Sequence, residues 1–167
     1  MSIRLLTTQA LHTIKFTKTD YVICIATEQE HIPAALEQAT NTMLLEFDDL
    51  VPEETVEDNV ATLQDIARTI EIHKEGYSNI YIYAATSPSR SLAVLIGLLA
   101  VGATDFNNVL YEAVKQCRAV LPNEWIVALY DFYLELDGKL TTVVADYSVT
   151  GLVINSVGRS LEATFAV

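Results

Sequence analysis

The stretch Ile80-Tyr-Ile-Tyr-Ala-Ala-Thr-Ser-Pro-Ser-Arg-Ser91 decides both the fold and the candidate site of this chain. Its apolar first half predicts a buried strand over residues 79–84. The polar residues that follow predict a short loop, and the apolar run after them predicts a buried helix over residues 91–101. Such a loop aims its backbone N–H groups at one point, where the helix N-terminus adds partial positive charge. The stretch therefore predicts an oxyanion cradle, with Arg90 placed to bind two phosphate oxygens.

On both sides of this stretch, strands and helices alternate up to residue 90, and helices follow it. The other predicted strands are short apolar, β-branched runs, at residues 3–6, 21–26 and 42–47. The other predicted helices have helical spacing or helix-end signals, at residues 9–14, 56–73, 104–120 and 123–136. Thr55 and Asp58 form a predicted capping box at the start of the second of these helices. The pattern indicates an α/β fold around a buried sheet.

The C-terminal part of the chain has a different pattern. Residues 140–147, 149–157 and 161–167 are β-branched and separated by turn residues, so they predict two or three additional strands. We accordingly divide the chain into an α/β domain over residues 1–144 and a β-rich extension over residues 145–167. An apolar tail must cover its own core or bury itself against a partner. We therefore expect a protein partner or self-association through this tail.

Composition argues against several classes of partner. The 167 residues carry a net charge of −12, with ten Lys and Arg against 22 Asp and Glu. This argues against a nucleic-acid partner and against docking to an anionic membrane, because both need clustered positive charge. The longest apolar stretch, residues 92–101, is too short to span a bilayer. The start, Met1-Ser-Ile-Arg, lacks the apolar region of a signal peptide. We expect a cytoplasmic protein, or one assembled into a particle made in the cytoplasm.

Metal, cofactor and triad chemistry find little support. No pair of His, Cys or carboxylate residues has ligand spacing on one predicted element, so we predict neither a metal nor a cofactor. Glu28, Glu30 and His31 are interpreted as a solvated face. The other histidines, His12 and His73, lie on or near different elements, which argues against a serine–histidine triad.

The stretch at residues 80–91 resembles the signature loop of protein tyrosine and dual-specificity phosphatases, which reads His-Cys, five residues, Arg, then Ser or Thr. If Arg90 is aligned with the signature arginine, Tyr83 stands at the histidine and Ala84 at the cysteine. Ser87 then stands at the usual glycine, and Ser91 at the hydroxyl after the arginine.

Further segments extend this resemblance. The family's general acid is an aspartate upstream of the loop, after a strand, and Asp49 in Phe47-Asp48-Asp49-Leu50 matches it. Arg90-Ser-Leu-Ala-Val and Leu121-Pro-Asn followed by a helix occur in the same order. The chain is most similar to a bacterial branch of small tyrosine phosphatases over about residues 1–144. The resemblance implies a central, mostly parallel sheet flanked by helices.

The departures from the family pattern determine the expected function. Family chemistry needs a thiolate that attacks phosphorus, and Ala84 offers no nucleophile. Cys24 and Cys117 lie in apolar runs on other elements and are expected to be buried free thiols. Ser87 disfavours a left-handed backbone, and Pro88 removes one N–H donor. We therefore expect no phosphate-ester hydrolysis by this chemistry.

Three hypotheses follow from these residues. The first is a pseudophosphatase that serves as a binding or structural module, for example as a subunit of a viral or phage particle. The second is an active phosphatase whose nucleophilic cysteine was replaced by Ala84. The third is a phospho-ligand sensor that binds phosphate or sulfate through Arg90 without turnover. In the cradle the anion-binding candidates are Thr86, Ser87, Ser89, Arg90 and Ser91. Asp49 is either a vestigial general acid or the residue that ends a strand or caps a turn.

Overall fold

A four-stranded parallel sheet forms the centre of the computed structural model, which describes residues 1–50, 59–117 and 120–148. Its strands are β1 (Ser2–Leu5), β2 (Asp20–Ala26), β3 (Thr42–Glu46) and β4 (Asn79–Ala84). They lie in the order β1-β4-β2-β3, and every neighbouring pair is parallel. The predicted α/β fold with a mostly parallel sheet is confirmed.

Helices flank this sheet. In the described residues they are α1 (Thr8–Leu11), a 3-10 helix (Ala34–Gln38), α2 (Leu63–Glu75), α3 (Pro88–Ala100), α4 (Phe106–Gln116), α5 (Glu124–Tyr133) and α6 (residues 139–148). None of them is long and apolar enough to cross a membrane.

The two faces of the sheet have cores of unequal size. Ile23 and Ile25 of β2 point to the large core, which also contains the buried residues of α2 to α6. Val22 and Cys24 point to the opposite face, where α1 and the 3-10 helix cover a smaller cluster. Alternate side chains of one strand thus enter different cores, as the pleat of a strand requires.

Helix α3 is the central helix, and its backbone approaches α5 closely. A Cβ atom built on Gly97 would lie 2.2 Å from the ring of Tyr130, so only glycine fits at this crossing. The Tyr130 ring is fully buried, and its hydroxyl lies 2.6 Å from the Thr69 hydroxyl of α2. The Tyr130 side chain thus packs against Gly97 of α3 with its ring and against Thr69 of α2 with its hydroxyl.

The predicted start of α2 was wrong. Residues 59–62 are not helical, and the helix begins at Leu63, because Thr62 and Asp65 form the capping box. The Thr62 N–H donates to Asp65 Oδ2 at 2.9 Å, and the Asp65 N–H donates to the Thr62 hydroxyl. The predicted box of Thr55 and Asp58 lies outside the described residues.

The predicted strand over residues 140–147 was also wrong, because residues 139–148 form helix α6. Leu140, Val144 and Ser148 are buried and lie four residues apart, which is helical spacing. Helix α6 continues across residue 144, where we placed the boundary of the extension. The tail strands predicted at residues 149–157 and 161–167 lie outside the described residues.

Candidate functional site

The candidate site lies where β2, β3 and β4 end, at the carboxyl edge of the sheet. In a parallel sheet these ends share one edge, so the segments that follow them come together. Glu30 follows β2, Asp49 follows β3, and residues 85–87 connect β4 to α3. The structure thus brings the predicted loop beside the predicted general acid, and adds Glu30.

Arg90, in the first turn of α3, is buried with 1% of its surface exposed. Its Nη1 donates to the carbonyl oxygen of Phe47 at 2.7 Å. Its Nη2 donates to both carboxylate oxygens of Glu30, at 2.7 and 2.9 Å. Its Nε is buried and has no hydrogen-bond partner within the described residues. Both terminal nitrogens of the signature-like arginine are therefore bound to acceptors of the protein itself.

Glu30 was interpreted as part of a solvated face, and the structure shows that this was wrong. Its carboxylate accepts a hydrogen bond from the Thr27 backbone N–H at 2.7 Å, besides its bonds with Arg90. The Thr86 hydroxyl, in the loop, donates to the same carboxylate. Only 11% of the Glu30 side chain is exposed. Its carboxylate is thus a ligand of the arginine and of the loop at once.

Asp49 binds the other end of the loop. The hydroxyls of Ser87 and Ser89 both donate to its Oδ2, and Asn123 Nδ2 donates to its Oδ1 at 2.8 Å. Partial burial alone would raise the pKa of Asp49, but the three hydrogen bonds and the charge of Arg90 outweigh it and hold the pKa below its ordinary value. Asp49 is therefore a carboxylate that accepts hydrogen bonds at neutral pH.

The predicted anion-binding hydroxyls come together at this site, but each has an acceptor within the protein. Thr86 donates to Glu30, while Ser87 and Ser89 donate to Asp49. The Ser91 hydroxyl donates to the carbonyl oxygen of Pro88 at 3.1 Å, within α3.

Ala84, at the nucleophile position, and the two cysteines belong to different segments of the chain. Ala84 ends β4 and pairs with Ile25 of β2. Cys24 is opposite Tyr83 on the neighbouring strand, and burial, with a smaller effect of Glu30, raises the pKa of its thiol to about 11. Cys117 follows α4, and burial raises its thiol pKa as well. In the described structure neither cysteine belongs to the loop, and neither thiol is a thiolate at neutral pH.

Asn123 and Glu30 were not identified from the sequence as residues of the site. Asn123 was predicted only as a helix start; its Oδ1 caps α5 through the Ile126 N–H, while its Nδ2 reaches Asp49. Glu30 carries a signal only through its position shortly after β2. In the described residues no group of three or more His, Cys, Asp or Glu side chains is arranged to hold a metal ion.

Comparisons with known proteins support the fold. No family model and no curated protein matches the chain. Among solved structures, the chain is similar to a crystal structure described as Tk-PTP in the active form, a protein tyrosine phosphatase. The identity is 14% and the TM-score 0.52, over 81% of this chain and 92% of that chain. At this identity the likeness concerns the fold alone: the chain has a tyrosine-phosphatase-like fold.

Proposed function

We propose that this protein is a catalytically inactive, tyrosine-phosphatase-like protein that acts as a binding or structural module. The observation that carries the proposal is Ala84, which ends β4 directly before the loop of residues 85–87. In the alignment suggested by the resemblance, a methyl group stands where the thiolate would attack phosphorus. Without a nucleophile the covalent intermediate cannot form.

The neighbouring groups do not supply the missing chemistry. The Cys24 thiol, with its pKa raised to about 11, stays protonated at neutral pH and lies on β2. Asp49 has a lowered pKa and therefore holds no proton to give to a leaving group near pH 7. Cys24 therefore does not replace the missing nucleophile, and Asp49 supports inactivity independently of Ala84.

The test is an assay with p-nitrophenyl phosphate and a phosphotyrosine peptide, with chelator present, on the unchanged chain and on Ala84→Cys. We expect no turnover by either, because Arg90 and the loop hydroxyls already bind Glu30 and Asp49. Ala85→Cys, a cysteine one position away, is the matched control.

The outcomes separate the hypotheses. Hydrolysis by the unchanged chain overturns the proposal. Turnover by Ala84→Cys, but not by Ala85→Cys, means that only the sulfur is missing. That result favours the alternative of an active phosphatase whose cysteine was replaced.

As a module, the protein needs something to bind. We propose a protein partner or self-association through the apolar C-terminal residues 145–167, within a cytoplasmic complex or a larger particle such as a viral or phage assembly. The acidic charge of −12 supports a protein rather than a nucleic acid or an anionic membrane as the partner.

A second candidate function is a sensor that binds a phosphate group without turnover. The buried Nε of Arg90, which lacks a partner in the described residues, favours it, because a buried donor is usually satisfied. In this function a ligand must displace Glu30 from Nη2. Calorimetric titration of the unchanged chain with phosphotyrosine tests the sensor, and absence of heat removes it.

A further inference from the structure

We propose that Glu30 is a built-in ligand of the cradle: its carboxylate takes the place of an external oxyanion on Arg90 and Thr86, so that oxyanions bind only when Glu30 is removed or displaced. The inference rests on the proposed function, because it treats the cradle as a binding site and not as a catalytic one. Glu30 is the group that keeps the site closed.

Arg90 and Glu30 form an ion pair that is largely shielded from solvent. A carboxylate and a phosphate both accept charge-assisted N–H···O bonds from a guanidinium. Here Nη2 donates to both oxygens of Glu30, at 2.7 and 2.9 Å. The Thr27 N–H holds the carboxylate from the side of β2, and the Thr86 hydroxyl holds it from the loop. Donors from three segments thus converge on Glu30, as they would on a bound anion.

Most side-chain hydrogen-bond donors of the cradle are already bound to acceptors of the protein. Nη1 of Arg90 is bound to the Phe47 carbonyl oxygen, and Nη2 is bound to Glu30. Ser87 and Ser89 donate to Asp49. The Arg90 side-chain donor that remains without a partner in the described residues is Nε. While Glu30 stays in place, an external oxyanion would therefore gain only this one hydrogen bond from the Arg90 side chain.

The surroundings of Arg90 carry more negative than positive charge. Two carboxylates, Glu30 and Asp49, face the single guanidinium of Arg90. A neighbouring cleft adds more carboxylates from the ends of the same strands, and these are Glu28, Glu46 and Asp48. These negative charges repel an approaching oxyanion. Removing the charge of Glu30 weakens its bonds with Nη2, because a neutral amide accepts less strongly than a carboxylate, and it also lowers that repulsion.

The opposite role for Glu30 makes the opposite prediction. If Glu30 only positions Arg90 for an external ligand, its loss leaves the guanidinium misplaced and weakens anion binding. If Glu30 is the ligand, its loss strengthens anion binding. The sign of the change therefore decides between the two roles.

The experiment compares the unchanged chain, Glu30→Gln and Glu28→Gln by calorimetric titration with inorganic phosphate and with sulfate. Glu28 is exposed and lines the neighbouring acidic cleft, so its substitution removes the same charge without removing a ligand of Arg90. We expect Glu30→Gln to bind at least about tenfold more tightly than the unchanged chain, and Glu28→Gln to stay within about twofold of it. Adding Arg90→Lys to Glu30→Gln should abolish the gain, because a lysine cannot reproduce the guanidinium fork.

A second measurement covers the stability of the variant. Glu30→Gln leaves the buried Arg90 charge without its counter-ion, so we expect a lower melting temperature in the absence of anions. Sulfate should raise the melting temperature of Glu30→Gln by about 5 °C more than that of the unchanged chain or of Glu28→Gln.

The remaining outcomes contradict the proposal. They are equal or weaker anion binding by Glu30→Gln, a sulfate effect shared by Glu28→Gln, and a Glu30→Gln protein that stays unfolded at every sulfate concentration. None of them involves phosphatase turnover. Failure of this inference is thus distinct from failure of the proposed function, which hydrolysis by the unchanged chain would show.

Discussion

Asp49 accepts hydrogen bonds from two loop hydroxyls and from Asn123, so its role can be tested through its titration. Its folded pKa lies below the ordinary value of 3.8. A depressed folded pKa stabilises the native state at pH values above 3.8, and this stabilisation disappears as the pH falls through the folded pKa. The Asp49 carboxylate therefore links the loop to β3 at neutral pH, and loses that link only in strong acid.

We predict that Asp49→Asn lowers the free energy of unfolding by about 1 kcal/mol at pH 7, a modest value because the side chain is partly exposed. The difference from the unchanged chain should shrink as the pH falls below 3.8. Urea unfolding at pH 7 and near pH 3 measures it. Asp48→Asn is the matched control, and a loss of equal size there would show that the loop contacts of Asp49 contribute nothing.

At the scale of elements, α6 depends on a carboxylate of another helix. Asp131, in α5, is 5% exposed and accepts hydrogen bonds from the N–H groups of Gly138, Leu140 and Thr141, at 2.7, 2.7 and 2.9 Å. These N–H groups belong to the first turn of α6 and the residue before it, where no carbonyl of the same helix can accept. A negative charge at a helix N-terminus also interacts favourably with the helix dipole.

Asp131→Asn should therefore lower the free energy of unfolding by about 2 kcal/mol, because the neutral amide accepts fewer and weaker hydrogen bonds than the buried carboxylate does. Chemical denaturation followed by circular dichroism measures this loss. Asp137→Asn, at an exposed position of the same connection, should change the stability by less than about 0.5 kcal/mol. Equal effects of the two substitutions would contradict the capping role.

The same element shows why part of the fold was not predicted. Thr141, Thr142, Val143 and Val144 are β-branched, and their local preference favours a strand. The first N–H groups of α6 donate to Asp131, which lies in α5, outside the short sequence window in which helical periodicity is detected. In contrast, β2 and β4 were predicted well, because burial on both faces leaves continuous apolar runs in the sequence.

The candidate site, like the fold, was predictable only where its residues are close together in the sequence. The strand, loop and helix around Arg90 are contiguous in sequence, and their pattern indicated the cradle. The contact of Arg90 with Glu30 joins residues 60 positions apart, and that of Asn123 with Asp49 joins residues 74 positions apart. Such pairs are created by the crossover connections of the parallel sheet, and no local pattern records them.

At the scale of the whole molecule, the apolar C-terminal sequence yields a prediction about assembly. If residues 145–167 bury apolar side chains against a second copy, the full chain should be larger than a monomer in light scattering. Ile154→Asp should shift it towards the monomer, because a charge is costly in an apolar contact. Ser156→Asp adds the same charge at a polar position and should not. A strictly monomeric full chain would contradict self-association.

The crossing of Gly97 and Tyr130 has a consequence for the distant end of α3. Gly97 lies seven residues beyond Arg90, which is about 10 Å along a helix. Because the aromatic ring leaves no space for even one added carbon at Gly97, the packing of α3 on α5 depends on glycine at this position. We therefore expect a larger side chain at Gly97 to displace α3 and, with it, the Arg90 side chain that the helix carries into the site.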